Sequence, residues 1–264
     1  MCYYCVSKHP THPRGQISTM KLIFTLLLLA LAIASTSAQV AELVPAPLLG
    51  VHRIVCLGDS ITQAGEGPGG YVWLVRKYLD ALYPGTEVIN AGISGHKSTD
   101  MLARFDRDVL EHKPDMVTIS VGVNDVWHGF YDNHPLGDGP KGIPLPEYRK
   151  NVEAMVAKAK AANVKVVILS TTVIHEDLSN RENARLVSYN AALRDIAHKN
   201  GALFIDFQKP FQALIKAYQT NTGARDNLLT VDGVHMNGEG NKVMAHTILN
   251  GLGISAEARQ NAKL

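Results

Sequence analysis

The chain has 264 residues, 46% of them hydrophobic and 19% charged, with no internal repeat or low-complexity block. That length and apolar content suit one globular domain with a sizeable core and exclude a long disordered chain. Its 26 Lys and Arg nearly balance 24 Asp and Glu, so no basic patch for nucleic acid or anionic lipid is implied.

From Met20 the chain reads MKLIFTLLLLALAIASTSA. A lysine, an apolar run over 22–34 and then small residues are the layout of a secretory signal peptide, with cleavage after Ala38 or Ala34. The run is too short for a comfortable membrane span, so no stable span is expected once it is removed. An export signal belongs at the true N-terminus, and residues 1–19 therefore read as a non-native upstream extension, with translation starting at Met20. The expected organisation is extension 1–19, signal peptide 20–38, linker 39–50, one domain over 51–253 and a tail over 254–264, in a secreted or periplasmic protein. Cleavage removes Lys8, Arg14 and Lys21 and no acid, leaving a near-neutral mature chain. It also removes Cys2 and Cys5, so Cys56 stands alone as an inert core residue and no disulfide framework is expected.

Past the linker, short β-branched runs alternate with longer helical patterns, the signature of a parallel α/β sheet. Strands are predicted at 53–57, 87–90, 116–121, 165–170 and 203–206, mostly continuous apolar runs suited to burial on both faces. Helices are predicted at 71–82, 99–111, 146–162, 183–199, 210–218 and 239–250, with Gly85 and Gly201 as stops. Right-handed crossovers then give a three-layer α/β/α sandwich around a five-stranded parallel sheet. Ligands collect at the carboxyl ends of such strands, where Ser60, Asn124 and the Thr171-Thr172 pair all fall. The irregular segment 127–144 carries Trp127, His128, Phe130, Tyr131 and His134 among glycines and prolines, and it reads as a loop that covers substrate.

Two short motifs hold the chemistry: GDS-ITQ around Ser60, directly after the first strand, and DGVH from Asp232 to His235. A serine hydroxyl is a poor nucleophile until a base takes its proton, and an imidazole titrating near neutral pH is suited to that task. Asp232, three residues before His235, is close enough to bond the far ring nitrogen and fix its tautomer. Donors for a developing oxyanion are available in NAGISG and VGVND, after the second and third strands: the amides of Ser60 and Gly95 and the side-chain amide of Asn124. Taken singly, each motif is also ordinary turn chemistry, since Asp59 can shape a turn, Asn237 can cap a helix, and Asn90 or Asn124 can fix a loop. Their joint order after strand ends is what points to nucleophilic acyl transfer.

Over 54–249 the four motif blocks resemble the SGNH, or GDSL, hydrolase superfamily in type and order. The resemblance implies that Ser60 is the nucleophile and His235 the base with Asp232 as its partner. It also matches Ser60, Gly95 and Asn124 to the oxyanion donors, Gly95 being preferred over Gly92 because it follows the Ile93-Ser94 pair. It further implies a flavodoxin-like sheet and no metal or organic cofactor. The G-x-S-x-G elbow of the ordinary α/β-hydrolases is absent around Ser60.

The expected activity is hydrolysis of a carboxylic ester through an acyl-enzyme. Export and the lack of a long apolar lid favour short acyl groups, above all acetyl, on a small-molecule or glycan ester. Trp127, His128 and Thr171 are candidate substrate contacts. The alternatives are a lysophospholipase or short-chain lipase and, from another class, an inactive carbohydrate-binding protein on the same scaffold. A metal hydrolase built on Asp232, His235 and His128 ranks low because no local cluster has metal-ligand spacing.

Overall fold

The computed structural model describes residue 1, residues 44–130, residues 141–262 and residue 264. The expected signal peptide lies outside the described residues, as do Tyr131 and His134 of the long loop. The elements below belong to the unit Ala46–Leu264.

Five strands form one parallel sheet: β1 (Arg53–Gly58), β2 (Glu87–Gly92), β3 (Met116–Ser120), β4 (Lys165–Leu169) and β5 (Leu203–Ile205). Their order is β2-β1-β3-β4-β5. In register, Ile54 faces Val88 on one side and Met116 on the other, Val117 faces Val166, and Ile168 faces Phe204. The central strands are the apolar runs seen in the sequence, and Val55, Leu57, Val117, Ile119, Ile168 and Leu169 are buried. Helices cover both faces, so a central strand has no solvent side on which to alternate.

After β1 come α1 (Ser60–Ala64) and α2 (Tyr71–Leu82); after β2, α3 (Ser98–Ala103) and α4 (Phe105–Asp108); after β3, α5 (Val123–Trp127) and α6 (Leu145–Ala161). After β4 comes α7 (Arg181–Asn200), and after β5 come α8 (Gln208–Thr222), α9 (Gly238–Gly251) and α10 (Ala256–Asn261). Right-handed crossovers in this strand order send α2 to one face and α3, α6 and α7 to the other. Contacts agree: α9 packs on α2 and α8, while α6 packs on α3 and α7. The protein is thus a three-layer α/β/α sandwich with the flavodoxin-like strand order.

Local chemistry explains most boundaries. The Asn180 side chain caps α7 by accepting from the Asn183 amide, Gly201 ends that helix, and the Asn237 side chain caps α9 by accepting from Gly240. The single helix predicted over 99–111 is instead broken into α3, α4 and a 3₁₀ turn at Leu110–His112. The break falls at Arg104, whose backbone leaves helical geometry at φ −104°, ψ 5°. Its side chain is drawn inward, donating through Nη2 to Gly58 O and through Nη1 to Ala91 O, both at 2.8 Å.

Connections from β1 and β3, neighbours in the sheet, leave toward opposite faces. Ligand sites in open α/β sheets lie at that switch point, outside the carboxyl ends of the strands. α1 and α5 both start there.

Candidate active site

β1 ends at Gly58, and the chain turns at once into α1. Asp59 caps that helix, its carboxylate accepting from the Ile61 amide at 2.9 Å. Ser60 is the first helical residue; first-turn amides have no partner within a helix, and its N–H has none among the described residues. Arg104, by holding Gly58 O and Ala91 O, ties the ends of β1 and β2 together beneath this turn.

From 175 residues away, His235 brings Nε2 to 2.8 Å from Ser60 Oγ. Its Nδ1 lies 2.7 Å from Asp232 Oδ2. With Nδ1 protonated and donating to Asp232, Nε2 is left to accept from the serine hydroxyl. The other Asp232 oxygen accepts from the Val234 and His235 amides at 3.0 and 2.8 Å. Partial burial works to raise the Asp232 pKa, but the His235 ring and these two amides outweigh it and hold the carboxyl below its usual range. The group therefore stays an anion at neutral pH.

In the loop after β2 almost every amide is already used. Gly92 N–H donates to Asn90 Oδ1, Ile93 to Gly58 O, Ser94 to Gln63 Oε1 and His96 to Ile93 O. Gly95 is the exception: its N–H has no partner among the described residues. Its φ of +76° turns the peptide into a conformation that side-chain-bearing residues rarely adopt. The Gly92 amide is thus committed, and among the described residues that of Gly95 is not. Asn90 is a loop-fixing residue, also donating through Nδ2 to Thr62 O at 2.6 Å.

Asn124 lies in α5 and is buried, its Nδ2 donating to His96 O at 3.0 Å. An amide nitrogen carries two hydrogens, so one is uncommitted among the described residues. Its neighbour Asp125 accepts from the Ser98 amide at 3.0 and 3.2 Å, docking α5 onto the start of α3. His96 in turn accepts from Arg104 Nε through Nδ1 at 3.0 Å; burial and the Arg104 charge hold its pKa below the ordinary value, so the acceptor lone pair is kept.

The three candidate substrate contacts fall differently. Trp127 and His128 are half-buried at the end of α5, with ring centres 6.0 Å apart. Thr171 is buried, and its amide and hydroxyl both engage Asn190 Oδ1, at 2.9 and 3.1 Å. It pins the loop after β4 and is not brought to the surface of the site.

Several contributors carried no local signal. His175 sets its ring edge-on to Trp127 at 6.3 Å, Glu176 binds the segment before Asp232, and Arg104 braces the strand ends. Each acts on a residue distant in sequence, so only an alignment of homologues would mark them beforehand. Among the described residues no group of three or more His, Cys, Asp or Glu side chains is arranged to hold a metal ion.

A sequence model of the GDSL-like Lipase/Acylhydrolase family matches residues 56–243. The chain belongs to that family. It is a GDSL-type carboxylic ester hydrolase, with several relatives that are esterases by name. It is 30% identical over 215 residues to an acetylxylan esterase of Geobacillus stearothermophilus, covering 76% of this chain and 94% of the relative. An isoamyl acetate-hydrolyzing esterase of Saccharomyces cerevisiae is 25% identical over 222 residues, covering 75% of this chain and 84% of the relative. Among solved structures, the acetyl xylan esterase AlAXEase superposes with a TM-score of 0.67 at 33% identity, covering 75% of this chain and 98% of that one. Two structures of the Geobacillus enzyme are catalytic mutants, one with a serine and one with an aspartate replaced by alanine.

Proposed function

We propose that this GDSL esterase removes short acyl groups, chiefly acetyl, from carbohydrate through a Ser60 acyl-enzyme. The observation that carries the mechanism is the unbroken relay from Ser60 Oγ to His235 at 2.8 Å and from His235 to Asp232 at 2.7 Å. His235 Nε2 takes the serine proton as Oγ attacks the ester carbonyl. The carbonyl electrons move onto oxygen, facing the amides of Ser60 and Gly95 and the spare Asn124 N–H. Collapse expels the alcohol, which receives the proton from His235. Water then attacks the acyl-enzyme with His235 again as base, releasing the carboxylic acid and restoring Ser60. Asp232 stays ionised throughout and stabilises the imidazolium. No step requires a cofactor.

Acetyl specificity is supported by the acetylxylan esterase relative and by the half-buried Trp127, on the same helix as Asn124, whose flat ring suits the apolar face of a sugar. Export is part of the same reading, through the segment at 20–38. No helix among the described residues is long and apolar enough to cross a membrane.

Replacement Ser60→Ala tests the chemistry. Turnover of p-nitrophenyl acetate should fall by on the order of 10⁴-fold or more, and retention of wild-type rates would refute the nucleophile. Acetylated xylo-oligosaccharides run against acyl esters of graded length test the substrate. A clear preference for octanoyl or longer chains would replace this reading with a lipase or lysophospholipase.

A further inference from the structure

We infer that Glu176 is a positioning residue that aims the Asp232–His235 arm at Ser60, acting through the hydroxyl of Thr230. The inference rests on the reading of that arm as the catalytic base.

Glu176 lies just past β4 and is only 3% exposed. Its carboxylate gathers four donors from one short stretch. Oε2 accepts from the Leu228 amide at 2.8 Å, and Oε1 accepts from the Leu229 amide at 2.7 Å and from the Thr230 amide and hydroxyl, each at 2.9 Å. A buried carboxylate needs such donors, because an unpartnered one would be strongly disfavoured. Here all of them belong to the three residues before the Asp232 turn.

The link to the turn itself runs through Thr230. Its hydroxyl proton points to Glu176, which leaves the oxygen lone pairs to accept from the Gly233 amide at 3.1 Å. On the other side of the same residue, Gly233 O accepts from the His175 amide at 2.7 Å. Both peptides flanking the centre of the turn are therefore tied to the adjacent pair His175-Glu176. Two backbone features serve this arrangement. His175 takes a left-handed φ of +57°, and Gly233 has φ +93° with its Cα so close to the His175 ring that a side chain would collide with Nδ1.

Inside, the turn is already closed: Val231 N–H donates to His235 O at 2.8 Å, and Asp232 Oδ1 accepts the next amides. Such a turn keeps its shape but needs external ties to fix its direction. Catalysis is sensitive to that direction, since a misplacement of about 1 Å can cost on the order of 100-fold. Glu176 touches neither substrate nor the reacting atoms, so its contribution is to geometry.

The test compares Thr230→Val, Thr230→Ser and Glu176→Gln in the full chain. Thr230→Val keeps the branched shape and loses the acceptor for Gly233, Thr230→Ser keeps that acceptor, and Glu176→Gln keeps one acceptor oxygen but sets amide hydrogens against the donors at the other. For the first and third, kcat on p-nitrophenyl acetate should drop about 10- to 100-fold with KM little changed, and fluorophosphonate labelling of Ser60 should slow in parallel. Thr230→Ser should restore both. Thr230→Val, which alters one hydroxyl, decides the matter if Glu176→Gln does not fold. A folded Thr230→Val enzyme with wild-type kcat and labelling rate overturns the inference, as does a loss confined to KM or one that serine does not rescue. Wild-type protein that neither hydrolyses ester nor takes label at Ser60 would instead overturn the acyl-enzyme reading, and this inference with it.

Discussion

Asp59 and Asp125 stand directly beside Ser60 and Asn124, the proposed nucleophile and oxyanion donor, and both are about 2% exposed. Burial pushes each carboxyl up to about 6, against the amide hydrogen bonds that favour the anion. A carboxyl whose folded pKa is raised keeps its proton longer in the native state than in the unfolded chain. Stability from these groups is therefore full below the ordinary carboxylate value of 3.8 and is lost as pH rises through about 6. The loss has a limiting slope of about 1.4 kcal/mol per pH unit for each group. Asp125→Asn retains a carbonyl to accept from Ser98 and removes the ionisation. Its melting temperature relative to wild type should rise between pH 4 and pH 6.5, and a difference independent of pH would contradict the raised pKa. The residue types at this site were legible in the sequence because GDS, GVND and DGVH each bring their chemistry in a few contiguous positions. The committed and uncommitted amides of Gly92 and Gly95 were not, because that distinction depends on Asn90 folding back on its own loop.

Helix breaks in this fold follow side-chain demands that periodicity does not carry. The residues over 99–111 have a helical pattern, yet α3 and α4 part at Arg104 because its guanidinium serves Gly58 O, Ala91 O, Asp108 and His96 at once. Arg104→Leu favours a continuous helix and takes a donor from each of those acceptors, leaving Gly58 O with the Ile93 amide and Asp108 with Arg107. Unfolding by guanidinium chloride should show a loss of about 1–3 kcal/mol, the range for leaving buried polar groups short of a hydrogen-bond partner. A loss under about 0.5 kcal/mol, as for an ordinary surface change, would show that the brace carries no weight. The longer helices were legible because their caps are local: Asn180 and Gly201 around α7, Asn237 before α9. α1 and α5, each five residues long, were not, being too short for a period to register and held by the strands they follow.

For the molecule as a whole, the proposed export makes a definite statement about its mature form. Protein recovered outside the cytoplasm should begin at Gln39, or at Ser35 if cleavage follows Ala34, as read by N-terminal sequencing. An intact Met1 or Met20 on that material would end the proposal. The same processing removes Cys2 and Cys5 and leaves Cys56, a buried free cysteine whose thiol is pushed up to about 11 by burial. Mature protein should accordingly show no thiol to Ellman's reagent when native and one when denatured.

The sequence by itself determined the parallel α/β architecture, the strand set and the kinds of group at the site. Buried strands, helix caps and strand-end motifs are all written in neighbouring residues. Only the tertiary structure decided which groups meet: the 2.8 Å contact between Ser60 and His235, the Gly95 amide without a partner among the described residues, and the clamp of Glu176 on the arm that carries the histidine. Those depend on loops from separate strands arriving at one rim of the sheet, and a contact across 175 residues leaves no local pattern in the chain.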